Sequence, residues 1–551
     1  MSQYKVIDGL LLRDMAMAGN ALLEKNREAV DALNVFPVPD GDTGTNMSLT
    51  MQSAIREINS KEFLRLDEAA NALAKGALKG ARGNSGVITS QLLRGFSKAV
   101  SGQEKITPAQ FVQALKAGSD LAYKAVMKPK EGTILTVARV VAEEAMKQVE
   151  KDPDDYEALF DVIISAGEDI LEKTPDMLPV LKQANVVDSG GSGLMYIYMG
   201  YAAVIKGKTV EEIIAELAAA TEDDDTVDLD DLTHLYCTRF SIVDTGEDCE
   251  ETDIDSLRRR LSRIGSHVKV KGDLKRVDVR VDTNHPGTAI EDGMEIGEVI
   301  DVQIENKHEL IRKRDGVDTT EEAQSKEPSM PTKEHGMVAV SLGEGFSKIF
   351  HDLGVDVVVE GGQTMNPSID DILSAIHATH AKTVYVFPNN GNVVLAAQQA
   401  ADLAENVDVH VIPTKNVAMG IAAAVAFQPD VVGELNARRM QEAAEHVKTG
   451  TVTYAIRDSE YNDIHIKQGD IIGLHNGKIE YSGNSVHDVA MNMMQAIVDE
   501  ESELITVYYG AETSQEDAEK LAADLGAEYP DCDVECHSGG QPLYYYLISV
   551  E

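Results

Sequence analysis

Two aspartates in one turn are the residues of this sequence whose types and spacing most directly indicate chemistry. Asp40 and Asp42 stand on either side of one glycine in a Pro- and Gly-rich turn, and a helical pattern begins at Met47. Two carboxylates this close repel each other unless a cation neutralises them. Magnesium prefers such oxygen ligands and keeps phosphate oxygens beside them, so the turn indicates a magnesium–phosphate site. An acidic surface turn, with Thr43 or Thr45 capping the next helix, explains the same pattern.

Three Gly-rich turns in the same helical region offer further groups that suit a nucleotide. They are residues 80–86, 130–136 and 187–193. Glycines let the backbone approach a ligand closely, and the exposed N–H groups at a helix start suit phosphate. Each turn alone is more simply a helix cap, and the region has neither a Walker A pattern nor a dinucleotide fingerprint. Four such loops in one helical region together favour a nucleotide site at the end of a bundle.

The elements that must position these loops divide the chain into five segments. We expect a nearly all-helical segment at 1–207, an acidic linker at 208–232, a small α/β segment at 233–309, a polar linker at 310–335 and an α/β segment at 336–551. The spacing of apolar residues predicts helices at 8–33, 67–79, 85–100, 108–127, 136–149 and 156–172. In the middle segment it predicts strands at 236–243, 267–271, 276–282 and 298–303, with a helix at 255–264. After residue 337 strands and helices alternate, which favours a parallel sheet with helices on both faces.

The composition restricts the class of protein. The chain has 551 residues, 43% of them hydrophobic, and a formal net charge of −43. Such a charge opposes binding to nucleic acids and to anionic membranes. No apolar run approaches the ~20 residues of a membrane span, and the N-terminus lacks a signal-peptide pattern. We therefore expect a cytoplasmic, multidomain protein whose four cysteines are too few for a disulfide scaffold.

A resemblance to the nucleotide-binding L subunit of dihydroxyacetone kinases rests on four motifs, at residues 34–47, 80–86, 131–136 and 188–193. With three further matches, at residues 360–368, 387–390 and 539–542, the chain resembles the ATP-binding subunit of bacterial fatty acid kinases. The resemblance implies an all-α eight-helix barrel that binds ATP and Mg²⁺, a small α/β middle domain, and an α/β carrier-interaction domain with a mainly parallel sheet. It also implies a homodimer and a DegV-like carrier protein. The carrier would present a fatty acid whose carboxylate becomes an acyl phosphate for lipid synthesis.

Roles for individual residues follow from this resemblance. Metal binding is expected at Asp40, Asp42 and Asn34, and nucleotide binding at Thr43, Asn46, Gly83, Asn84, Ser85, Gly86, Thr133, Thr136, Asp188 and Gly190. Asp40 and Asp42 would be catalytic through the metal. Arg82 is a candidate charge stabiliser, although an arginine on a helix surface is the simpler interpretation. A carboxylate acceptor is already ionised at neutral pH, so positioning and charge neutralisation are sufficient for catalysis.

The middle segment departs from the family pattern, in which a Cys-Thr-Glu-Phe strand and a His-x-His strand hold a metal. Here the strands carry Arg239, Arg280 and Asp282 at the expected ligand positions. An arginine does not ligate a metal in practice, so we expect no zinc here. We expect Arg239 or Arg280 to pair with Asp282. Residues 416–420 also depart from the family pattern, which puts their role in carrier contact in doubt and leaves the nucleotide site untouched.

Two other functions remain open from the sequence. One is a kinase for a small hydroxylated substrate such as dihydroxyacetone. The other is a nucleotide-responsive binding scaffold whose C-terminal α/β segment is the working part. An intact Asp40–Asp42 turn weighs against the scaffold, because a chain without catalysis could lose these carboxylates freely.

Overall fold

The computed structural model describes residues 4–34, 41–219, 233–243, 251–273, 276–307, 332–362, 365–455, 459–461 and 464–551. The chain divides into two compact units. One unit combines Met1–Leu217 with Pro328–Glu551, and the other is Ala218–Glu327. The two ends of the sequence therefore share one unit, and the middle of the sequence forms the other.

The first part of the larger unit is helical. In chain order its helices are α1 (Gly9–Lys25), α2 (Arg27–Ala32), α3 (Thr43–Ile58), α4 (Leu66–Gly80), α5 (Gly83–Ala99), α6 (Pro108–Ala125), α7 (Ile134–Lys151), α8 (Tyr156–Leu171), α9 (Thr174–Met177), α10 (Pro179–Ala184), α11 (Ser189–Ile205) and α12 (Val210–Ala219). Within the described residues, eight of them (α1, α3 to α8 and α11) have 15 to 18 residues.

The eight long helices close a ring around one apolar core. Successive helices from α3 to α8 contact each other, α11 contacts α8 and α1, and α1 contacts α3. Inward-facing aliphatic side chains fill the ring, together with the packed rings of Phe96, Phe111 and Phe160. The eight-helix barrel expected from the resemblance is therefore confirmed.

One helix boundary differs from the sequence prediction. The pattern at residues 8–33 predicts a single helix, but α1 ends at Lys25 and α2 begins at Arg27. Asn26 lies at the break with φ −102° and ψ 12°. Its side-chain Nδ2 donates to the carbonyl of Leu22 at 2.7 Å, and such local side-chain bonds compete with helix continuation. The other five predicted helices match α4 to α8 to within two residues.

The smaller unit is an antiparallel sheet covered by two helices on one face. Its elements are β1 (Tyr236–Val243), α13 (Glu251–Ile264), β2 (Gly265–Asp273), β3 (Arg276–Thr283), α14 (Pro286–Met294) and β4 (Glu298–Asn306). The strand order is β2-β3-β1-β4. Apolar residues of β1 and β3 alternate toward a core with α13 and α14. The sequence prediction omitted α14 and ended β4 three residues early.

The C-terminal part of the larger unit begins with a parallel sheet. Its elements are β5 (Lys333–Ser341), α15 (Glu344–Asp352), β6 (Val357–Glu360), α16 (Ile369–Ala378), β7 (Ala381–Phe387), α17 (Val394–Leu403), β8 (Asp408–Val411), α18 (Val417–Val425) and α19 (Gly433–His446). The order β6-β5-β7-β8 is parallel throughout. Valines of β5 and β7 face α16 and α17, while the intervening residues face α15, α18 and α19. Helices on both faces of a parallel sheet are thus confirmed.

A second sheet, which the sequence analysis did not describe, completes this part. The remaining elements of the C-terminal part are β9 (Lys448–Tyr454), β10 (Ser459–Tyr461), β11 (Ile464–Ile466), β12 (Ile471–His475), β13 (Lys478–Gly483), α20 (Val486–Met494), β14 (Leu504–Tyr509), α21 (Gln515–Glu528), β15 (Asp533–Ser538) and β16 (Tyr544–Val550). Strands β10 and β11 pair with each other in a separate two-stranded sheet. Six strands form the order β13-β12-β9-β16-β14-β15, in which only β14 and β15 pair in parallel. The helices α20 and α21 cover it through an apolar core. No helix in the described part of the chain is long and apolar enough to cross a membrane.

Candidate active site

The start of α3 buries the second aspartate of the Asp-Gly-Asp turn. Asp42 is the residue before the helix and is 7% exposed, and the adjoining Thr43 and Asn46 are buried as well. Asp42 Oδ2 accepts a hydrogen bond of 2.5 Å from Asn366 Nδ2, which comes from the C-terminal part of the chain. Asp40, the other half of the predicted pair, lies outside the described residues. Its role stays a prediction.

The start of α5 lies directly against the start of α3. Gly83 has φ +56°, and a Cβ built on it would come within 2.5 Å of Asn46 Nδ2. A side chain here would strain the backbone and displace Asn46, so the turn favours glycine. Gly86 lies equally close to α3, because a Cβ there would meet Thr50 Oγ1 at 2.3 Å. The first two predicted loops therefore form one surface.

The third and fourth loops form a second pair. A Cβ on Gly190, at the start of α11, would lie 3.2 Å from Cβ of Ile134 at the start of α7. Asp188 accepts a hydrogen bond from Gly191 N at 2.7 Å. Burial raises the pKa of Asp188 to about 6, although hydrogen bonds from the backbone amides of Gly191 and Ile134 act in the opposite direction. The carboxyl group of Asp188 therefore joins the two helix starts.

Two hydroxyls predicted to bind nucleotide are engaged within their own loop. Thr133 Oγ1 donates to the carbonyl of Lys130 at 2.9 Å. Thr136 is fully buried, and its Oγ1 donates to Glu131 Oε2 at 2.8 Å and accepts from Gly132 N at 2.9 Å. These bonds shape the turn before α7.

The two pairs of loops meet through α3 and α11. A Cβ on Gly193, one turn into α11, would lie 2.7 Å from the sulfur of Met47, one turn into α3. Together with the contacts above, this places the starts of α3, α5, α7 and α11 next to one another at one end of the helical ring.

A cavity of about 910 Å³ lies between this end of the ring and the C-terminal sheets. From the helical part it is lined by Asn34, Asp42, Thr43, Asn46, Asn84 and Ser85. The other predicted site residues do not line it among the described residues, namely Arg82, Gly83, Gly86, Thr133, Thr136, Asp188 and Gly190. The structure therefore divides the prediction into a cavity-facing group and a group that shapes the helix starts.

The facing side of the cavity is lined by residues that the sequence analysis did not assign to the site. Part of this lining lies at the carboxyl ends of the four parallel strands: Ser341 and Leu342 at the end of β5, Gly361 and Gly362 after β6, Asn389 to Asn392 after β7, and Lys415 to Val417 after β8. The second sheet contributes further lining residues, among them Thr449, Thr451 and Asn476. Ligands of open α/β sheets bind at such strand ends, and this rule was the signal available in the sequence. Asn416 belongs to residues 416–420, whose departure from the family pattern was expected to leave the nucleotide site untouched, and Lys415 directly precedes them.

Polar contacts fix the helical part against the C-terminal part. Arg82 Nη1 donates to the carbonyl of Asn366 at 2.8 Å, and Arg82 Nη2 pairs with Asp371 at 3.4 Å. Asn84 Nδ2 donates to Asn392 Oδ1 at 3.0 Å. Buried Ala81 and Val87 join the apolar core between α16, α17 and the parallel sheet. Arg82 thus contacts the loop that delivers Asn366.

The donor set around Asp42 fits a hard cation. Asn366 is completely buried, and its Oδ1 has no hydrogen-bond partner among the described residues. Asp42, Asn34 and Asn46 line the cavity, and their side chains carry further oxygen atoms that could bind a cation. Magnesium selects such groups over nitrogen and sulfur ligands.

The middle unit contains two ion pairs that the sequence analysis did not predict. Asp282 and Lys307 are both completely buried and pair at 2.7 Å, and Arg239 pairs with Glu305 at 2.7 Å. His267 Nδ1 also lies 3.2 Å from Asp282 Oδ2. The expectation that Arg239 or Arg280 pairs with Asp282 stays a prediction.

Metal binding in the middle unit remains a separate question. Across the described ranges, no three His, Cys, Asp or Glu side chains form a group that could hold a metal ion. Burial raises the pKa of the Cys237 thiol. The expectation that no zinc binds here stays a prediction.

Comparisons with known proteins cover almost the whole chain. Three sequence-family models match it: the DAK2 domain at residues 37–203, the middle domain of FakA-like fatty acid kinases at 233–313, and the C-terminal domain of the same kinases at 336–551. Protein YloV of Bacillus subtilis is 40% identical over 556 residues, which is 99% of this chain and 100% of that protein. An uncharacterized protein of Staphylococcus saprophyticus is 39% identical over 558 residues, 99% of each chain.

Solved structures give weaker likenesses. A DegV family protein from Thermus thermophilus, described for its fatty acid binding, covers 40% of this chain and 99% of its own at 13% identity and a TM-score of 0.31. The dihydroxyacetone kinase of C. freundii covers 41% of this chain and 49% of its own at 14% identity and a TM-score of 0.29. Because these TM-scores are low, the family assignment rests on the sequence matches alone. By those matches, the chain belongs to the FakA-like fatty acid kinase family.

Proposed function

We propose that the protein is an ATP-dependent phosphotransferase that phosphorylates the carboxylate of a fatty acid held by a separate DegV-like carrier protein. The product would be an acyl phosphate for lipid synthesis. Membership of the FakA-like fatty acid kinase family supports the reaction. The observation that carries the proposal is the cavity between Asp42 and Asn84 on one side and the carboxyl ends of four parallel strands on the other.

The cavity residues suit transfer of a phosphoryl group between two anionic molecules. Asp42, with Asp40 and Asn34, would hold Mg²⁺, and this ion would neutralise charge on the phosphates. Buried Thr43 and Asn46 would bind phosphate oxygens at the start of α3, and Asn84 and Ser85 would do so at the start of α5. Thr133, Thr136, Asp188 and Gly190 would contribute to nucleotide binding indirectly, by shaping the starts of α7 and α11 beside this site.

The chemistry needs orientation more than proton transfer. One oxygen of the acceptor carboxylate would attack the γ-phosphorus, and the bond from that phosphorus to the β-bridging oxygen would break, with ADP as the leaving group. The carboxylate carries no proton at neutral pH, so no side chain has to remove one. Buried amide and hydroxyl groups fixed before the reaction lower the barrier by positioning the reactants.

The organisation of the chain belongs to the same proposal. We assign nucleotide binding to residues 1–207 and carrier interaction to residues 336–551, with a middle domain at 233–309 between linkers at 208–232 and 310–335. A cytoplasmic homodimer is part of this assignment.

The decisive measurement is ADP formation by the full chain with MgATP and a DegV-like carrier, either loaded with a fatty acid or stripped of it. We expect turnover only with the loaded carrier, and hydroxylamine should trap the acyl phosphate as a hydroxamate. Phosphorylation of dihydroxyacetone without any carrier would contradict the proposal in favour of a small hydroxylated substrate. Binding of ATP without turnover on either acceptor would favour the nucleotide-responsive scaffold.

A further inference from the structure

The buried side-chain oxygen of Asn366, in the C-terminal part of the chain, lies beside the proposed cation site and accepts no hydrogen bond from the described residues. Asn366 is 0% exposed, and its Oδ1 has no hydrogen-bond partner among the described residues. The other end of the same amide, Nδ2, touches Asp42 Oδ2 at 2.5 Å. Nδ2 is also 3.3 Å from where a Cβ on Gly83 would lie, while Asn46 Nδ2 is 2.5 Å from that point. Asn366 therefore reaches the point at which the first two helix starts meet.

An oxygen in this position is unfavourable without a partner. A buried carbonyl-type oxygen loses its bonds to water, and nothing in the described surroundings replaces them. The two ends of a carboxamide have nearly the same shape, so a half-turn about the terminal bond exchanges oxygen and nitrogen. After that half-turn, Oδ1 would face the carboxylate of Asp42, and a cation bound by both oxygens would offset the repulsion between them.

The neighbouring residues hold Asn366 firmly in this place. Its backbone carbonyl accepts from Arg82 Nη1 at 2.8 Å, and Arg82 also pairs with Asp371 at 3.4 Å. The backbone N–H of Ile369 donates to the carbonyl of Ala81 at 3.1 Å. Because the turn before α5 carries both Arg82 and Ala81, the helical part itself positions the loop that delivers Asn366.

We propose that Asn366 is a cation ligand of the magnesium–phosphate site on Asp42, so that one site is built from the helical part and the C-terminal α/β part of the same chain. The inference rests on the proposed function for the presence of a cation at Asp42. It goes beyond that function because it assigns a metal-binding role to a residue outside the nucleotide-binding segment. Arg82 then acts as a positioning residue for this ligand.

The test measures Mn²⁺ affinity with ADP and without any acyl acceptor, by isothermal titration calorimetry on the full chain. Asn366→Ala should weaken Mn²⁺ binding by about 10- to 100-fold, the range found when groups supporting a metal site are removed. Asn366→Asp replaces the amide with a stronger oxygen donor and should bind Mn²⁺ at least as tightly as the natural chain. If Asn366→Ala does not fold, Asn366→Leu keeps the side-chain volume and is expected to show the same loss.

Gln399→Ala is the matched control, because it also removes a carboxamide that joins the C-terminal part of the chain to the helical part. Gln399 accepts from Gln91 at 2.8 Å and does not line the cavity, so its loss should leave Mn²⁺ affinity unchanged. Unchanged affinity in Asn366→Ala would overturn the inference. So would a loss in Asn366→Asp as large as in Asn366→Ala, since the amide would then serve Asp42 only as a donor. A natural chain that binds no Mn²⁺–ADP would contradict the nucleotide site itself, whereas normal Mn²⁺–ADP binding without acyl transfer would contradict only the acceptor.

Discussion

Asp282 and Asp42 are both buried carboxylates, but their surroundings differ. Asp282 pairs with Lys307 at 2.7 Å, and neither side chain is exposed. Asp42 receives a hydrogen bond from a neutral carboxamide and borders a cavity of about 910 Å³. The chain itself supplies the counter-charge of Asp282, whereas the surroundings of Asp42 leave room for a ligand.

This difference separates a structural use of a buried charge from a functional one. A buried ion pair contributes little net stability, but loss of one partner is strongly destabilising because the other charge stays buried. A carboxylate at the edge of a polar cavity can exchange its partner, which is what a site that binds and releases a metal–nucleotide complex requires. Substitutions at the Asp42 site should therefore lower activity, whereas substitutions at the Asp282 ion pair should lower stability.

The largest effect is expected from Asp42→Ala. Loss of this carboxylate should lower carrier-dependent ADP formation by about 1,000-fold or more, because a metal–phosphate contact is worth several kcal/mol at the transition state. The thermal midpoint should change little. Asp155→Ala is the matched control: Asp155 precedes α8, caps it through Glu157 N and Ala158 N, and does not line the cavity. Asp155→Ala should lower the free energy of unfolding by about 1 kcal/mol and leave turnover intact. Normal turnover in Asp42→Ala together with lost turnover in Asp155→Ala would refute the assignment of Asp42.

The next effect concerns the middle unit. Lys307→Met removes the buried ammonium group from Asp282, which keeps His267 Nδ1 at 3.2 Å, and should destabilise this unit by about 3 kcal/mol, the lower end of the cost of breaking a buried ion pair. Hydrogen exchange of the full chain in increasing urea, measured for the backbone amides of β1 and β3, reports the stability lost by the middle unit. Adding Asp282→Leu to Lys307→Met should recover part of the stability, and additive losses would show that the two charges are not coupled. Mn²⁺–ADP affinity should not respond to either change.

The sequence predicted the architecture well where local patterns decide it. Apolar spacing located α4 to α8 to within two residues, and the resemblance supplied the closed ring. The sequence analysis did not describe the second sheet, because β9 pairs with β16 far along the chain, with Lys448 opposite Val550, and packing sets their register. The break between α1 and α2 at Asn26 coincides with one side-chain hydrogen bond, which the spacing of apolar residues cannot predict.

The candidate site shows the same limit in a sharper form. Helix starts with Gly, Ser, Thr and Asp can be read along the chain, so the wall that carries Asp42 and Asn84 was predictable. The facing wall comes from distant loops, and nothing in the spacing of Asn366 or Lys415 relates them to Asp42. Lys307 was missed for a similar reason, because its contact with Asp282 depends on where β4 ends.

Asp188 is a partly buried carboxylate held by backbone amides, and the smallest effect is expected there. Burial raises its pKa to about 6, above the value of about 3.9 for an unfolded aspartate. The folded state therefore holds this proton more tightly, so its contribution to stability is fully present below about pH 4 and is lost as the pH rises to about 6. Asp188→Asn keeps a capping side chain without the charge. Relative to the natural chain it should stabilise the helical part at pH 7–8 by at most about 2 kcal/mol, since partial exposure screens the charge. That difference should shrink toward zero near pH 4. Urea unfolding of both proteins from pH 4 to 8 measures it, and a difference independent of pH would show that Asp188 is held as firmly charged as it would be in water.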